Sequence, residues 1–475
     1  MRALALAVLA ACGCGCGCDS IDRGPPIGVR IEHVTIVSPE LAQPIVDATV
    51  QIDGETIMTV LPGMPPRRAW RVIDGRGLFL VPGLIDGHVH LGLIAGMLPD
   101  AEAAHPEIAR AARAQIPRSF LAYGFTTLVD LTGTPGDRDQ WNAQPLHPDF
   151  EFCGAAALDG GYPTNDIPPA FRDAIVPYRF DATHAPTSVV QRMHNDGAIC
   201  VKTFFERGFG ARRDLPVPTL DDLRELEATA RAYDMPLLIH ANATEAHEIA
   251  VAANVQIVAH GLWNWTDDRA TALPDRERAA LDREIAAGIG WEPTLQVLHA
   301  LRDLFDPAYL DNAELARVVP KSLLAWYASP EGQAVRDDTA RGFASAEQAR
   351  QIFDHVIANA AASTSYIAHH GGQLLFGTDT PSGPFYTNPP GLNGWREIRD
   401  LVAAGVTPAQ VFRAATLDNA RAFGIDKLVG TVEVGKRANL LLLGADPTKS
   451  IDAYRALRYV IVRGRVVDPV ELVAE

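Results

Sequence analysis

The chain has 475 residues, long enough for a large α/β domain and a smaller companion. Apolar residues make up 47% and charged residues 21%, with 39 Gly and 34 Pro, a globular composition rich in loops. The formal charge of −16, with no basic cluster, argues against nucleic acid as a partner.

Met1-Arg2 is a minimal positive start, and Ala3 to Ala11 is an apolar run too short to span a bilayer. It ends in Leu9-Ala-Ala-Cys12, which resembles the lipobox of bacterial lipoproteins. That resemblance implies cleavage before Cys12 and a lipid on its thiol. Residues 1–27 are then signal and tether, and the remainder stands outside the cytoplasm, membrane-bound by that anchor alone. An ordinary secretory signal or an unprocessed tail are the alternative readings. Cys14, Cys16 and Cys18 alternate with glycine and are read as tether, because no other ligand cluster accompanies them. No later segment is long and apolar enough to cross a membrane. Only Cys153 and Cys200 remain, which is no disulfide framework, and buried free thiols are expected.

From residue 28 to 80 the pattern is short β segments broken by turn residues, such as Val29-Arg-Ile-Glu-His-Val-Thr-Ile36 and Thr56-Ile-Met-Thr-Val60. The texture returns in Ala438-Asn-Leu-Leu-Leu-Leu443 and Tyr459-Val-Ile-Val-Arg-Gly464. One small β domain built from residues 28–80 and 428–475 is expected.

Between these ends, residues 81–427 alternate apolar strand-like runs with amphipathic helices. The expected strands are Gly83–His90, Thr126–Asp130, Phe150–Ala156, Ala198–Phe204, Pro236–His240, Gln256–His260, Gly288–Glu292 and Leu374–Asp379. Thr219, with Asp222 in the first turn, opens one helix, and Thr407-Pro408 opens another that Gly424 closes. The alternation predicts a (β/α)8 TIM-like barrel with insertions. A doubly wound sheet lacks its Gly-x-Gly-x-x-Gly signature.

In such a barrel the chemistry sits at the C-terminal strand ends. His88 and His90 end the first strand and, two residues apart, share one face of it. Lys202 lies in the fourth strand, His240 and His260 end the fifth and sixth, and Asp379 ends the eighth. Imidazole nitrogens suit zinc and its borderline relatives. A lone histidine of this kind is usually a satisfied core residue, but five strand ends carrying such groups are not. A buried lysine amine is neutralised more easily and can take up carbon dioxide as a carbamate. The other reading of Lys202 is a barrel lysine paired with Asp130 or Glu206.

These runs resemble the amidohydrolase superfamily, in particular its imidazolonepropionase-like and metal-dependent prolidase-like branch. The resemblance rests on Val81-Pro-Gly-Leu-Ile-Asp-Gly-His-Val-His90, Gly124-Phe-Thr-Thr-Leu-Val-Asp130, Val201-Lys202, Ile239-His240, Ala259-His-Gly261 and Phe376-Gly-Thr-Asp379. Ala414-Ala-Thr-Leu-Asp-Asn-Ala420 and Gly430-Thr-Val-Glu-Val-Gly-Lys-Arg-Ala-Asn439 extend it. It implies two divalent ions, zinc foremost, with His88, His90 and Asp379 on one and His240 and His260 on the other. A carbamate on Lys202 and a hydroxide would bridge them. Asp379 would act as general base and then general acid in cleaving a C–N bond of an amide, cyclic amide or dipeptide-like small molecule. Two positions depart from the pattern: Asn439 stands where Asp is usual, and Gly160-Gly-Tyr162 where relatives often carry histidine.

The alternatives are a mononuclear imidazolonepropionase-like hydrolase, a lactonase, and a catalytically inactive surface-anchored binding protein. Tyr162, Arg207 and Trp291, just beyond strand ends, are candidate substrate contacts. His369-His370 is read as a solvated turn. The charged segment Leu301–Ala349 is read as a lid or as a homo-oligomer contact.

Overall fold

A computed structural model describes residues 28–62, 70–167, 172, 176–209 and 213–475. The expected signal, its Cys12 lipidation site and the tether cysteines lie outside the described residues.

The chain opens with β1 (Gly28–Ile36), β2 (Ile45–Asp53), β3 (Thr56–Pro62), β4 (Trp70–Asp74) and β5 (Phe79–Pro82). The barrel strands follow: β6 (Leu84–Val89), β7 (Phe125–Asp130), β8 (Asp149–Leu158), the short β9 (Arg179–Phe180), β10 (Cys200–Phe204), β11 (Leu237–His240), β12 (Ile257–Ala259), β13 (Gly290–Glu292) and β14 (Gln373–Leu374). The chain returns through β15 (Leu440–Leu443), β16 (Leu457–Val462) and β17 (Arg465–Val467).

Two sheets result. One runs β17-β16-β15-β5-β1-β2-β3, with β4 beside β1, so both ends of the chain build it. Its core holds Ile31, Val34, Ile36, Val50, Leu440, Leu442 and Ile461. The other runs β6-β7-β8-β10-β11-β12-β13-β14 with parallel neighbours, and β9 adds to β8. The residues just after β14 close this sheet on β6: Gly87 N donates to Phe376 O at 2.9 Å, Asp379 N to His88 O at 2.7 Å and His90 N to Thr380 O at 2.8 Å. A barrel has no free edge, so its backbone groups are satisfied internally.

The expected helix signals operate as caps. Thr219 and Asp222 form a capping box before Leu220–Ala232, and Thr407 and Gln410 form another before Pro408–Arg413. Such caps contribute about 1 kcal/mol each. Beyond Pro408–Arg413 the turn widens through Ala414–Asp418 and presents Asn419 to the barrel floor. There Asn419 donates to Ile85 O and Phe376 O and accepts from Phe376 N, at 2.7–3.0 Å. One side chain thus joins the first and last barrel strands.

Asn439 does comparable work between the two domains. Its amide donates to Asp149 at 2.7 Å and its oxygen accepts from Arg463 N at 2.8 Å. Arg437 also donates to Asp149, at 2.8 Å. The barrel and the β domain therefore meet at a shared carboxylate.

The free-thiol expectation is corrected. Cys153 and Cys200 are registered neighbours on β8 and β10, with Cα atoms 4.4 Å apart, and they form a disulfide. Sequence spacing could not show that pairing, because it depends on which strands become neighbours. The segment beyond β13 is broken into short pieces, Leu295–Asp303, Lys321–Tyr327 and Ala334–Ala340, before the long helix Ala346–His369. His369 and His370 stand exposed at that helix's end. No described helix is long and apolar enough to cross a membrane.

Candidate metal centre

The side chains picked out at the strand ends converge. His88, on fully buried β6, and His90, just past its end, both turn Nε2 toward Oδ1 of Asp379, at 3.4 and 2.9 Å. His260 follows β12 and its Nδ1 lies 3.9 Å from the other Asp379 oxygen. One ligand atom each from His88, His260 and Asp379 falls within a 4.8 Å cluster, a spacing that suits a shared cation. His240, at the end of β11, stands edge-on to His260 with ring centroids 4.4 Å apart. Lys202 projects from the centre of β10 into the same space, fully buried, its Nζ without a hydrogen-bond partner among the described residues.

Neighbouring side chains fix the orientations. Thr132 Oγ1 lies 2.9 Å from His90 Nδ1, and Thr294 Oγ1 lies 2.9 Å from His260 Nδ1. Asp86 accepts from His88 N, Thr378 N and Thr378 Oγ1, tying β6 to the segment that carries Asp379. Asn242 donates to Glu206, which faces His240 Nε2 at 3.4 Å. His260, Thr294 and Asp379 all adopt left-handed backbone, with φ of 81°, 47° and 52°. Such residues cost about 1–3 kcal/mol each and concentrate at functional sites.

Burial governs the protonation of the group. It drives His88 and His260 well below the usual imidazole range, with the Lys202 charge and the other imidazoles adding to the effect. It lowers His240 as well, against the opposing pull of Glu206. Neutral imidazoles result, the form that coordinates a cation. Burial also pushes Lys202 down to about 8, opposed by Glu292 and Asp379, and Asp86 up to about 7, opposed by its hydrogen bonds.

The acids that sequence offered as Lys202 partners are engaged elsewhere. Asp130 accepts from the amides of Leu91 and Thr132, and Glu206 from Gly208 N and Asn242. The carboxylates whose charge Lys202 feels are Glu292 and Asp379. Glu292, absent from the sequence-derived candidates, is fully buried at the end of β13, with Oε2 3.3 Å from His88 Nδ1. A usable signal was present: Glu292 closes an apolar strand much as Asp379 does.

The three substrate candidates separate. Tyr162 lies at the site, its ring 5.1 Å from His240, 5.7 Å from Phe204 and 5.3 Å from Phe209. Arg207 is exposed and held by Glu245 at 2.7 and 2.9 Å, an ordinary surface ion pair. Trp291 does not reach the site. It is fully buried within β13 on the face opposite Glu292 and packs near His247, since successive strand residues alternate faces.

Residues 355–467 match the model of the Amidohydrolase family. The matched stretch runs from the long helix through Asp379 into the returning β domain. Imidazolonepropionase of Chloroflexus aggregans is 28% identical over 28% of this chain and 36% of that protein. The chain thus spans about a third of the length of this curated relative. Among solved structures, a Xaa-Pro dipeptidase with methionine bound in its active site superposes with a TM-score of 0.66. It is 21% identical, over 93% of this chain and 99% of that one. Ochratoxinase of A. niger gives 0.64 at 18% identity, over 92% and 95%. These likenesses establish the TIM-like barrel fold shared with amidohydrolases.

The donor set fits the divalent metal that this family generally uses. The imidazoles of His88 and His260 and the carboxylate of Asp379 converge, and the buried Nζ of Lys202 has no hydrogen-bond partner among the described residues.

Proposed function

We propose that the protein is a metal-dependent hydrolase that cuts a C–N bond of an amide, cyclic amide or dipeptide-like small molecule. The observation that carries this reading is the convergence of His88 and His90 Nε2 on one oxygen of Asp379, with His260 closing the cluster. His88, His90 and Asp379 would hold one ion, and His240 and His260 a second, with Lys202 between them as a carbamate. Bound divalent ions, zinc foremost, supply Lewis acidity and lower the pKa of a water at neutral pH.

The chain's own groups do the rest. Asp379 has one carboxyl oxygen 2.9 Å from His90 and the other 3.9 Å from His260, so it faces the space where a nucleophilic water and a scissile bond would meet. It takes the water's proton and passes it to the leaving nitrogen. Tyr162 and Phe204 give the mouth an aromatic wall beside His240 and help to exclude water.

A mononuclear site is the second reading, and one observation favours it. Glu292 sits close enough for its carboxylate to raise the pKa of Lys202, although burial pushes its own pKa well above the usual carboxylate range. The lysine thus has a protein carboxyl group as partner without any carbamate. A screen of metal-loaded protein against dipeptides and N-acyl amino acids, with metals counted per chain, tests both readings. Two ions with amide turnover support the first, one ion with turnover the second, and no bound metal removes both.

Anchoring through Cys12 outside the cytoplasm is proposed from the sequence, and the Cys153–Cys200 disulfide supports an oxidising compartment. Lipid labelling that survives in Cys12→Ser would remove it.

A further inference from the structure

Neither carboxyl oxygen of Glu292 has a hydrogen-bond partner among the described residues, and the side chain has no exposed surface. Burying a carboxyl group this way is costly unless a partner is close by. The nearest is His88 Nδ1, 3.3 Å from Oε2 and equally without another partner. Nδ1 is the ring nitrogen that points away from Asp379, because Nε2 is the one turned toward it. The slot for the carboxyl group is made by two glycines on adjoining barrel segments. A Cβ on Gly87 would lie 2.8 Å from Glu292 Oε1, and one on Gly377 would lie 2.6 Å from His88 Cβ and 3.2 Å from Glu292 Cδ. Any larger residue at either position would push the carboxyl group or the His88 ring out of place.

We propose that Glu292 is a positioning residue for the metal centre, accepting the proton-bearing Nδ1 of His88 and so leaving Nε2 as the metal-binding nitrogen. The proposal rests on the reading of the strand ends as a metal site. A carboxylate behind a metal-binding imidazole fixes its tautomer and ring angle and raises its basicity. The same residue could instead serve only as the counter-charge of Lys202, so the two roles must be separated.

Zinc affinity, measured by competition with a chromophoric chelator, separates them in wild type, Glu292→Gln and Glu292→Leu, each with and without Lys202→Met. Glu292→Gln is expected to keep the wild-type circular dichroism and melting temperature and to weaken the tighter ion by about tenfold to a hundredfold. Glu292→Leu, which also removes the acceptor, should weaken it further, and both losses should persist in the Lys202→Met background. Affinity within twofold of wild type in both variants overturns the proposal. So does a loss that disappears once Lys202 is gone, which would assign Glu292 to the lysine. Wild-type protein that binds no zinc would instead overturn the metal-centre reading itself. Where a variant fails to fold, nitrogen NMR of histidine-labelled, zinc-loaded wild type decides: a proton on Nδ1 of His88 is expected, and one on Nε2 overturns the assignment.

Discussion

Nε2 of His90 lies 2.9 Å from Oδ1 of Asp379, although one residue follows the first barrel strand and the other the last. Barrel closure makes this contact, through the hydrogen bonds of Gly87, Asp379 and His90 across the seam. Asp379→Asn keeps an oxygen for that contact but loses the base. It should retain most bound metal and lower kcat by about 10²- to 10⁴-fold. A near-normal kcat in the variant would remove Asp379 from its catalytic role.

Lys202 reports on the number of ions. Lys202→Met should cut bound metal from two ions per chain to one, as read by elemental analysis. An unchanged count of one in both proteins would support the mononuclear reading.

The same lysine predicts a pH dependence for metal loading. Burial lowers its pKa from the ordinary lysine value to about 8, so the neutral amine grows as pH rises through that point. Only the neutral amine takes up carbon dioxide. Loading of metal-free protein with zinc at a fixed concentration of dissolved carbon dioxide should therefore accelerate about fivefold between pH 7 and pH 8, following the neutral fraction. A rate that is flat or falls over that interval speaks against a carbamate.

Tyr162 stands in the aromatic wall beside His240. If it contacts substrate, Tyr162→Ala should raise KM by about twofold to tenfold, the range expected for losing one aromatic contact of ~0.5–1.5 kcal/mol. The value of kcat should change little. A fall in kcat at constant KM would place Tyr162 in support of the imidazole instead.

The Cys153–Cys200 disulfide closes a loop across a sequence separation of 47 residues. On the chain-entropy account a loop of that size stabilises by about 4 kcal/mol. Reduction, or Cys200→Ser, should lower the denaturant midpoint accordingly. Alkylation under denaturing conditions before reduction should leave Cys153 and Cys200 unmodified; modification of both would refute the bridge.

The sequence by itself determined a good deal of this protein, because local patterns carry it. Apolar runs of strand length, capping residues such as Thr219 and Thr407, and polar groups closing those runs placed seven barrel strands within about two residues and the start of the eighth, which ends at Leu374 and not at the expected Asp379. They also picked out His88, His90, Lys202, His240, His260 and Asp379. The β texture at both ends likewise foretold one composite sheet. What only the tertiary structure decided depends on which strands become neighbours and which way a side chain faces. The register of β8 against β10 made a disulfide of two expected free thiols. Alternation along β13 sent Trp291 outward and Glu292 inward, reversing which of the two adjacent residues belongs to the site. Arg207 lies at the surface, paired there with Glu245. Contacts between distant strands are set by closure of the barrel, and no window along the chain encodes them.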